Sequence, residues 1–208
     1  MTHPALLLAS ATLLAACTPS LTEPARAGVV ESAQAEPGKS APDFTLTDVD
    51  GVRFRLSEQR GRTVVLEWFN PDCPFVRHAY TEGPLADAAG RWKERGVTWV
   101  AINSGRPGKQ GTGAERNRAA RDEYGMAAPV LLDEPGAVGR LYGAVTTPQM
   151  FVIDKDGVLV YSGALDDQPL GRGEGPPRVH IDEVLEAVTA GRPSPYARQK
   201  PYGCSVKY

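Results

Sequence analysis

The segment TVVLEWFNPDCPFV, residues 63–76, decides how the chain is read. Thr63 to Phe69 is an unbroken run of apolar and β-branched residues, with a single carboxylate at Glu67, and suits a central strand buried on both faces of a sheet. The run ends at Asn70-Pro71-Asp72, residue types that favour turns, and Pro74 is suited to the first position of a helix. Cys73 therefore stands where a strand gives way to a helix. The positive end of a helix dipole and its free backbone N–H groups favour a thiolate there, the form that attacks disulfides and that peroxides oxidise. A local dithiol would place its second cysteine three residues on, and that position is Val76. Arg77, one helical turn from Cys73, is a candidate to support the sulfur. The alternative for Cys73 is an inert core thiol.

Outward from this segment, strands and helices alternate. Two alternating runs around Asp50-Gly51 predict a hairpin within residues 41–59. A helical stretch from about Pro74 to Arg95 is expected to break near Gly83-Pro84, followed by a buried strand over 97–104. A polar loop at 105–113, a helix at 114–125 and a third strand at 128–133 come next. A short helix over 136–144 leads to a strand over 146–154 that is entered through Pro148, then a turn at Lys155-Asp156-Gly157 and a returning strand over 158–165. Residues 181–191 form a helix with Ile181, Val184, Leu185 and Val188 on one face and Gly191 at its end. This order predicts an α/β fold with a mixed central β-sheet flanked by helices.

The 208 residues carry a net charge of −2 with scattered basic residues, which excludes nucleic acid as a partner on electrostatic grounds. At the N-terminus, ALLLASATLLAAC (5–17) is an apolar run too short to span a bilayer as a helix and has the outline of a secretory signal. Its end, Leu14-Ala15-Ala16-Cys17, resembles the bacterial lipobox. That resemblance makes 1–17 a lipoprotein-type signal with Cys17 as a diacylated anchor to the membrane of the bacterial envelope, facing the periplasm or cell surface. An ordinary signal peptide containing a cysteine is the alternative. Residues 18–40, rich in Pro, Ala, Ser and Glu, read as a disordered linker.

From residue 41 to the end, several separated motifs resemble the peroxiredoxin-like, redoxin (AhpC/TSA-type) proteins of thioredoxin-like fold: NPDCPFV at 70–76, INS at 102–104, TTPQMFVID at 146–154, GALDD at 163–167 and GCSVKY at 203–208. The resemblance implies a thioredoxin-like domain over 41–190 with an N-terminal β-hairpin extension, and a C-terminal extension over 191–208. It implies that Thr147-Pro148 is the cis-proline step, whose preceding residue faces the reactive cysteine and offers its backbone to an incoming chain. Six residues before Cys73, Glu67 falls where thioredoxins carry a buried acid, and the role implied is management of the thiol proton. Pairing of Glu67 with an Arg or Lys near the sheet edge is the alternative. The chain departs from true peroxiredoxins in having Asn70 for the threonine and Leu66 for the proline of P-x-x-x-T-x-x-C, which argues against fast peroxide reduction.

With Cys17 lipidated, Cys73 and Cys204 remain as a pair in an oxidising compartment. The thirteen residues from Gly191 to Cys204 extend up to about 40 Å, enough to cross a small domain. Cys204 is thus a candidate partner thiol for Cys73, either in a cycling pair or in a permanent staple. The function expected is a thiol-dependent oxidoreductase that uses a peroxide or protein disulfide and an unidentified thiol reductant. It needs no cofactor and no metal. Alternatives are a copper carrier or a disulfide-stapled binding module. His78 and His180 are read as surface or cap residues: Cys73 and His78, five apart on a helix, point in different directions.

Overall fold

The computed structural model describes residues 1–2 and 34–208. The expectations for the signal segment, for Cys17 and for the linker up to residue 33 lie outside the described residues. The last part of that linker departs from expectation, because residues 34–40 pack on the domain. Ala35 is buried and its N–H donates to Leu141 O at 2.9 Å, Gly38 N–H donates to Leu159 O at 2.8 Å, and Ser40 bridges Val158. A segment without large apolar side chains still carries backbone donors and acceptors, and an open sheet edge offers them partners.

The strands are β1 (Thr45–Asp48), β2 (Arg53–Arg55), β3 (Val64–Trp68), β4 (Thr98–Asn103), β5 (Val130–Leu132), β6 (Thr146–Thr147), β7 (Gln149–Ile153), β8 (Leu159–Gly163) and β9 (Cys204–Ser205). The helices are α1 (Pro74–Thr81), α2 (Leu85–Glu94), α3 (Ala114–Glu123), α4 (Ala137–Tyr142) and α5 (His180–Thr189). Seven strands form one mixed sheet in the order β2-β1-β5-β4-β3-β7-β8. β3, β4 and β5 run parallel, β7 and β8 return antiparallel on one side, and the β1–β2 hairpin adds antiparallel to β5 on the other. This is the thioredoxin-like arrangement with an N-terminal hairpin that the sequence predicts.

Every residue of β3 is buried, and the two-residue period divides the strand between two cores. Val64, Leu66 and Trp68 pack with Val138 and Tyr142 of α4 and with Phe151. Val65 and Phe69 face α1, α2 and α5, against Val76, Tyr80, Trp92, Val184 and Leu185. Glu67 shares that second face, the one acid in a strand sealed on both sides. The expected break between α1 and α2 is present. At Gly83 the chain runs so close to α1 that an added Cβ would lie 2.9 Å from Ala79 Cα.

The single strand expected over 146–154 is divided. Pro148, joined to Thr147 by a cis bond, separates β6 from β7, and proline has no N–H to give a ladder. β6 leaves the main sheet and pairs antiparallel with β9, Thr146 opposite Ser205 and Thr147 opposite Cys204. The C-terminal extension reaches that pairing along β8: Ser162 N–H donates to Ala197 O at 3.1 Å and Gln199 N–H to Ser162 O at 3.2 Å. Gly163 permits this approach, since a Cβ there would lie 2.6 Å from Gln199 N.

The burial of β3 makes its side chains the costliest to shorten. Leu66, 0% exposed, is expected on replacement by Ala to lower the unfolding free energy by about 2–5 kcal/mol. Val52→Ala, at a position 62% exposed, should change it by no more than about 0.5 kcal/mol. Chemical denaturation of the two variants beside the parent checks the contrast.

Candidate active site

Cys73 is held by a turn that is itself pinned from several sides. Asn70 Oδ1 accepts the Asp72 N–H at 2.9 Å, Asn70 O accepts the Cys73 N–H at 3.1 Å, and Asn70 Nδ2 donates to Gln110 O at 3.1 Å. Tyr124 Oη donates to Pro71 O at 2.9 Å, and Arg116 pairs with Asp72 at 2.7 Å. Asn70 thus shapes the turn and ties it to the loop at 105–113, so its supporting position is structural in origin.

Pro74 occupies the first turn of α1 and Cys73 is its N-cap, as the sequence predicts. The sulfur, however, makes no hydrogen bond to the helix amides. It points across the fold, and the Cys73 thiol donates to Thr147 O at 3.1 Å. Pro74 has no N–H to offer, and the carbonyl opposite is a better partner for a protonated thiol. Arg77 also departs from expectation. Its side chain is exposed whereas Cys73 is only 2% exposed, and among the described residues no hydrogen bond or ion pair holds it to the sulfur.

The second thiol arrives from the opposite terminus. The β6–β9 register sets Cys204 opposite Thr147, the residue whose carbonyl receives the Cys73 thiol. Both cysteines are free thiols. Burial pushes the Cys204 thiol up to about 11, with the neighbouring Cys73 acting in the same direction. The approach is built along the length of the tail. Gly203 has φ +129°, and a Cβ there would collide with Thr147 O. Tyr202 Oη donates to Asp166 Oδ1 at 2.6 Å and its ring tilts against Phe75, centroids 5.9 Å apart. Val206 N–H donates to Val145 O at 3.1 Å, and Arg106 N–H to Lys207 O at 2.8 Å. Tyr208 Oη donates to Ala144 O at 2.7 Å beneath the Arg140 guanidinium, 4.5 Å from the ring centroid. Cys73, Cys204, Thr147 and Pro148 are therefore brought together.

Glu67 is fully buried, and neither a lysine nor an arginine pairs with it among the described residues. Its carboxyl accepts from Tyr80 Oη, 2.9 Å from Oε2 and 3.0 Å from Oε1, and from Trp99 Nε1 at 2.9 Å. Tyr80 in turn stacks on Tyr124, centroids 5.3 Å apart, the same tyrosine that pins Pro71. Removal from water raises the Glu67 carboxyl to about 7, and the two hydrogen bonds only partly oppose that rise. Tyr80 and Trp99 were not singled out in the sequence. The cue for them is that a carboxylate inside a buried strand requires donors on neighbouring elements.

The remaining candidates stand apart. His78 Nδ1 lies 3.7 Å from Glu82, and His180 is buried with its ring edge-on to Tyr196. No group of three or more His, Cys, Asp or Glu positioned for a metal occurs among the described residues. Asp166 accepts the Gln168 N–H as well as the Tyr202 hydroxyl, and Asp167 accepts the Arg178 N–H, both at 2.9 Å to the backbone nitrogen. The GALDD motif thus caps turns and moors the tail.

The Glu67 shift has a definite sign. Its folded pKa, about 7, lies above the ordinary 4.5, so between those values the folded state binds more protons than the unfolded state. The Glu67 share of stability is therefore fully present below pH 4.5 and falls as pH rises through 7, by about 3 kcal/mol in all. Glu67→Gln should remove that slope, and denaturation midpoints across this pH range compare the two proteins.

Known proteins resemble the chain at several levels. The thiol-disulfide oxidoreductase ResA of Bacillus thuringiensis subsp. konkukian is 27% identical over 135 residues, 60% of this chain and 68% of that protein. An uncharacterized conserved protein from Geobacillus kaustophilus superposes with a TM-score of 0.74 at 34% identity, covering 83% of this chain and 92% of its own. A hypothetical protein from Sinorhizobium meliloti 1021 gives the same TM-score, 0.74, at 31% identity, covering 84% of this chain and 96% of its own. The profile of the AhpC/TSA family matches residues 37–162, which include Glu67, Cys73 and the Thr147-Pro148 step and stop short of Cys204. With more than half its length inside that match, the chain belongs to the AhpC/TSA family.

Proposed function

We propose that the protein is an extracytoplasmic thiol-disulfide oxidoreductase in which Cys73 is the nucleophile and Cys204 the resolving thiol. The observation that carries this reading is the β6–β9 register, which puts Cys204 opposite the residue whose carbonyl receives the Cys73 thiol. The missing cysteine at Val76 is replaced by one supplied from the far end of the chain. The name of the ResA relative, a thiol-disulfide oxidoreductase, supports the same chemistry.

In the forward direction, the Cys73 thiolate attacks one sulfur of a disulfide and releases the other as a thiolate. The Cys204 thiolate then attacks the Cys73 sulfur and releases the second thiolate. Two electrons have passed to the substrate, and the chain holds a Cys73–Cys204 disulfide that an external thiol reductant reopens. With a hydroperoxide the same pair yields an alcohol and water through a sulfenic acid on Cys73. Glu67, whose carboxyl is poised near neutrality, would hold the proton exchanged as the thiol pair opens and closes. Thr147 and Pro148 position the carbonyl that Cys73 meets. Upstream, Cys17 serves in this reading as the diacylated anchor to the bacterial envelope.

One observation favours a second reading, a disulfide-stapled module without turnover: Cys73 is 2% exposed. Non-reducing peptide maps before and after mild reductant and peroxide separate the two. A cycling pair gives a Cys73–Cys204 linkage that opens with reductant and returns with oxidant, whereas a staple resists the reductant. For a cycling pair, Cys73→Ser should lower turnover of a small disulfide by at least about a hundredfold. Cys204→Ser should stop the reaction at an adduct on Cys73, visible as an intact-mass increase.

A further inference from the structure

A polypeptide that delivers a cysteine to a buried sulfur is held most simply by adding a strand beside it, because main-chain pairing fixes register while alternate side chains point into the site. At Cys73 the backbone that faces the sulfur belongs to Thr147, in the two-residue strand β6. The pairing side of β6 is already taken by β9, with the chain's own cysteine at the position a substrate cysteine would need. We propose that residues 203–208 are a substrate-mimicking strand held in cis, which admits small disulfides and oxidants to Cys73 and excludes polypeptides until it leaves. This rests on the reading of Cys73 as the reactive thiol.

The fit is specific along its length. Gly203 lies so close to Thr147 O that a side chain would force the strand away, and Val206 continues the pairing to Val145. Lys207 O accepts from Arg106, and the Tyr208 ring closes the far end over Ala144 beneath Arg140. Just before the strand, Tyr202 is moored to Asp166 and Phe75. A tethered strand competes at an effective concentration that a free peptide does not match, so an incoming polypeptide sees a groove open only in the fraction of molecules whose tail is undocked. A molecule of a few atoms needs no strand partner and escapes that competition. Gly203 is the specificity-determining position, because it allows the strand to lie against Thr147 at all.

The test uses the full chain in a Cys204→Ser background, so that only the first covalent step is read. The Cys73 thiolate takes one sulfur from the probe disulfide, forming a mixed disulfide on Cys73 and releasing one thiolate. The small probe is hydroxyethyl disulfide; the large probe is an unstructured peptide whose single cysteine is joined to mercaptoethanol, so that the reacting bond is alike in both. Adduct formation on Cys73 is timed by intact mass, and circular dichroism confirms the fold. Gly203→Ala is expected to raise the peptide rate by about tenfold or more while altering the small-probe rate less than about twofold. Tyr208→Ala, which loosens the far end of the same strand, should move the peptide rate in the same direction. Equal peptide rates with and without these changes would overturn the proposal, as would an equal acceleration of both probes. Failure of Cys73 to react with either probe in any variant would remove the underlying reading of Cys73 as well.

Discussion

The site depends on one backbone carbonyl. Thr147 O accepts the Cys73 thiol, while the same residue pairs with Cys204 across the β6–β9 ladder. Its place follows from the break at Pro148, which removes a donor from the main ladder and lets β6 turn out of the sheet while β7 continues beside β3. A single strand running straight from 146 to 153 would leave no separate partner for the tail. The rest of the site is scaffolding for this meeting of a short strand, the C-terminal tail and a helix N-terminus.

Beneath it lies a second polar layer that uses the same elements differently. Glu67 stands on β3, Tyr80 on α1 and Trp99 on β4, and their hydrogen bonds link the active-site helix to the centre of the sheet. An ionised carboxylate in such a place loses hydration that two neutral donors do not replace, which is why its proton is held more firmly than in water. Tyr124 connects this layer to the turn at Pro71 through ring stacking and its hydroxyl.

Much of the fold was legible in the sequence because its signals are local. The unbroken run at 63–69, the Asp50-Gly51 turn and the periodicity of 181–188 each announce an element within a few residues. The pairing of Cys73 with Cys204 was legible only as reach plus resemblance; its register depends on the β6–β9 ladder, between residues more than fifty positions apart, which no local pattern encodes. The donors to Glu67 were hidden for the same reason. Two expectations failed through side-chain and backbone detail. The sulfur turned toward a carbonyl and away from the helix amides, and residues 34–40, poor in large apolar side chains, docked chiefly through backbone groups with only Ala35 entering the core. Composition reports what a segment can bury, and it is silent about the hydrogen bonds its main chain can find.

That docking has a consequence for how copies of the chain meet. Along its outer side β8 is covered twice, by residues 38–40 near its start and by residues 197–199 near its end. Open strand edges invite a second molecule to zip on, and here the two flanking segments of the same chain have filled that seam. At the other margin, β2 is only three residues long, and its Arg53 and Arg55 are occupied in ion pairs with Glu58 and Asp43, so it offers little edge for an identical strand. Sheet-to-sheet growth is thus discouraged at both margins, and a crowded population of these molecules keeps its β-structure to itself.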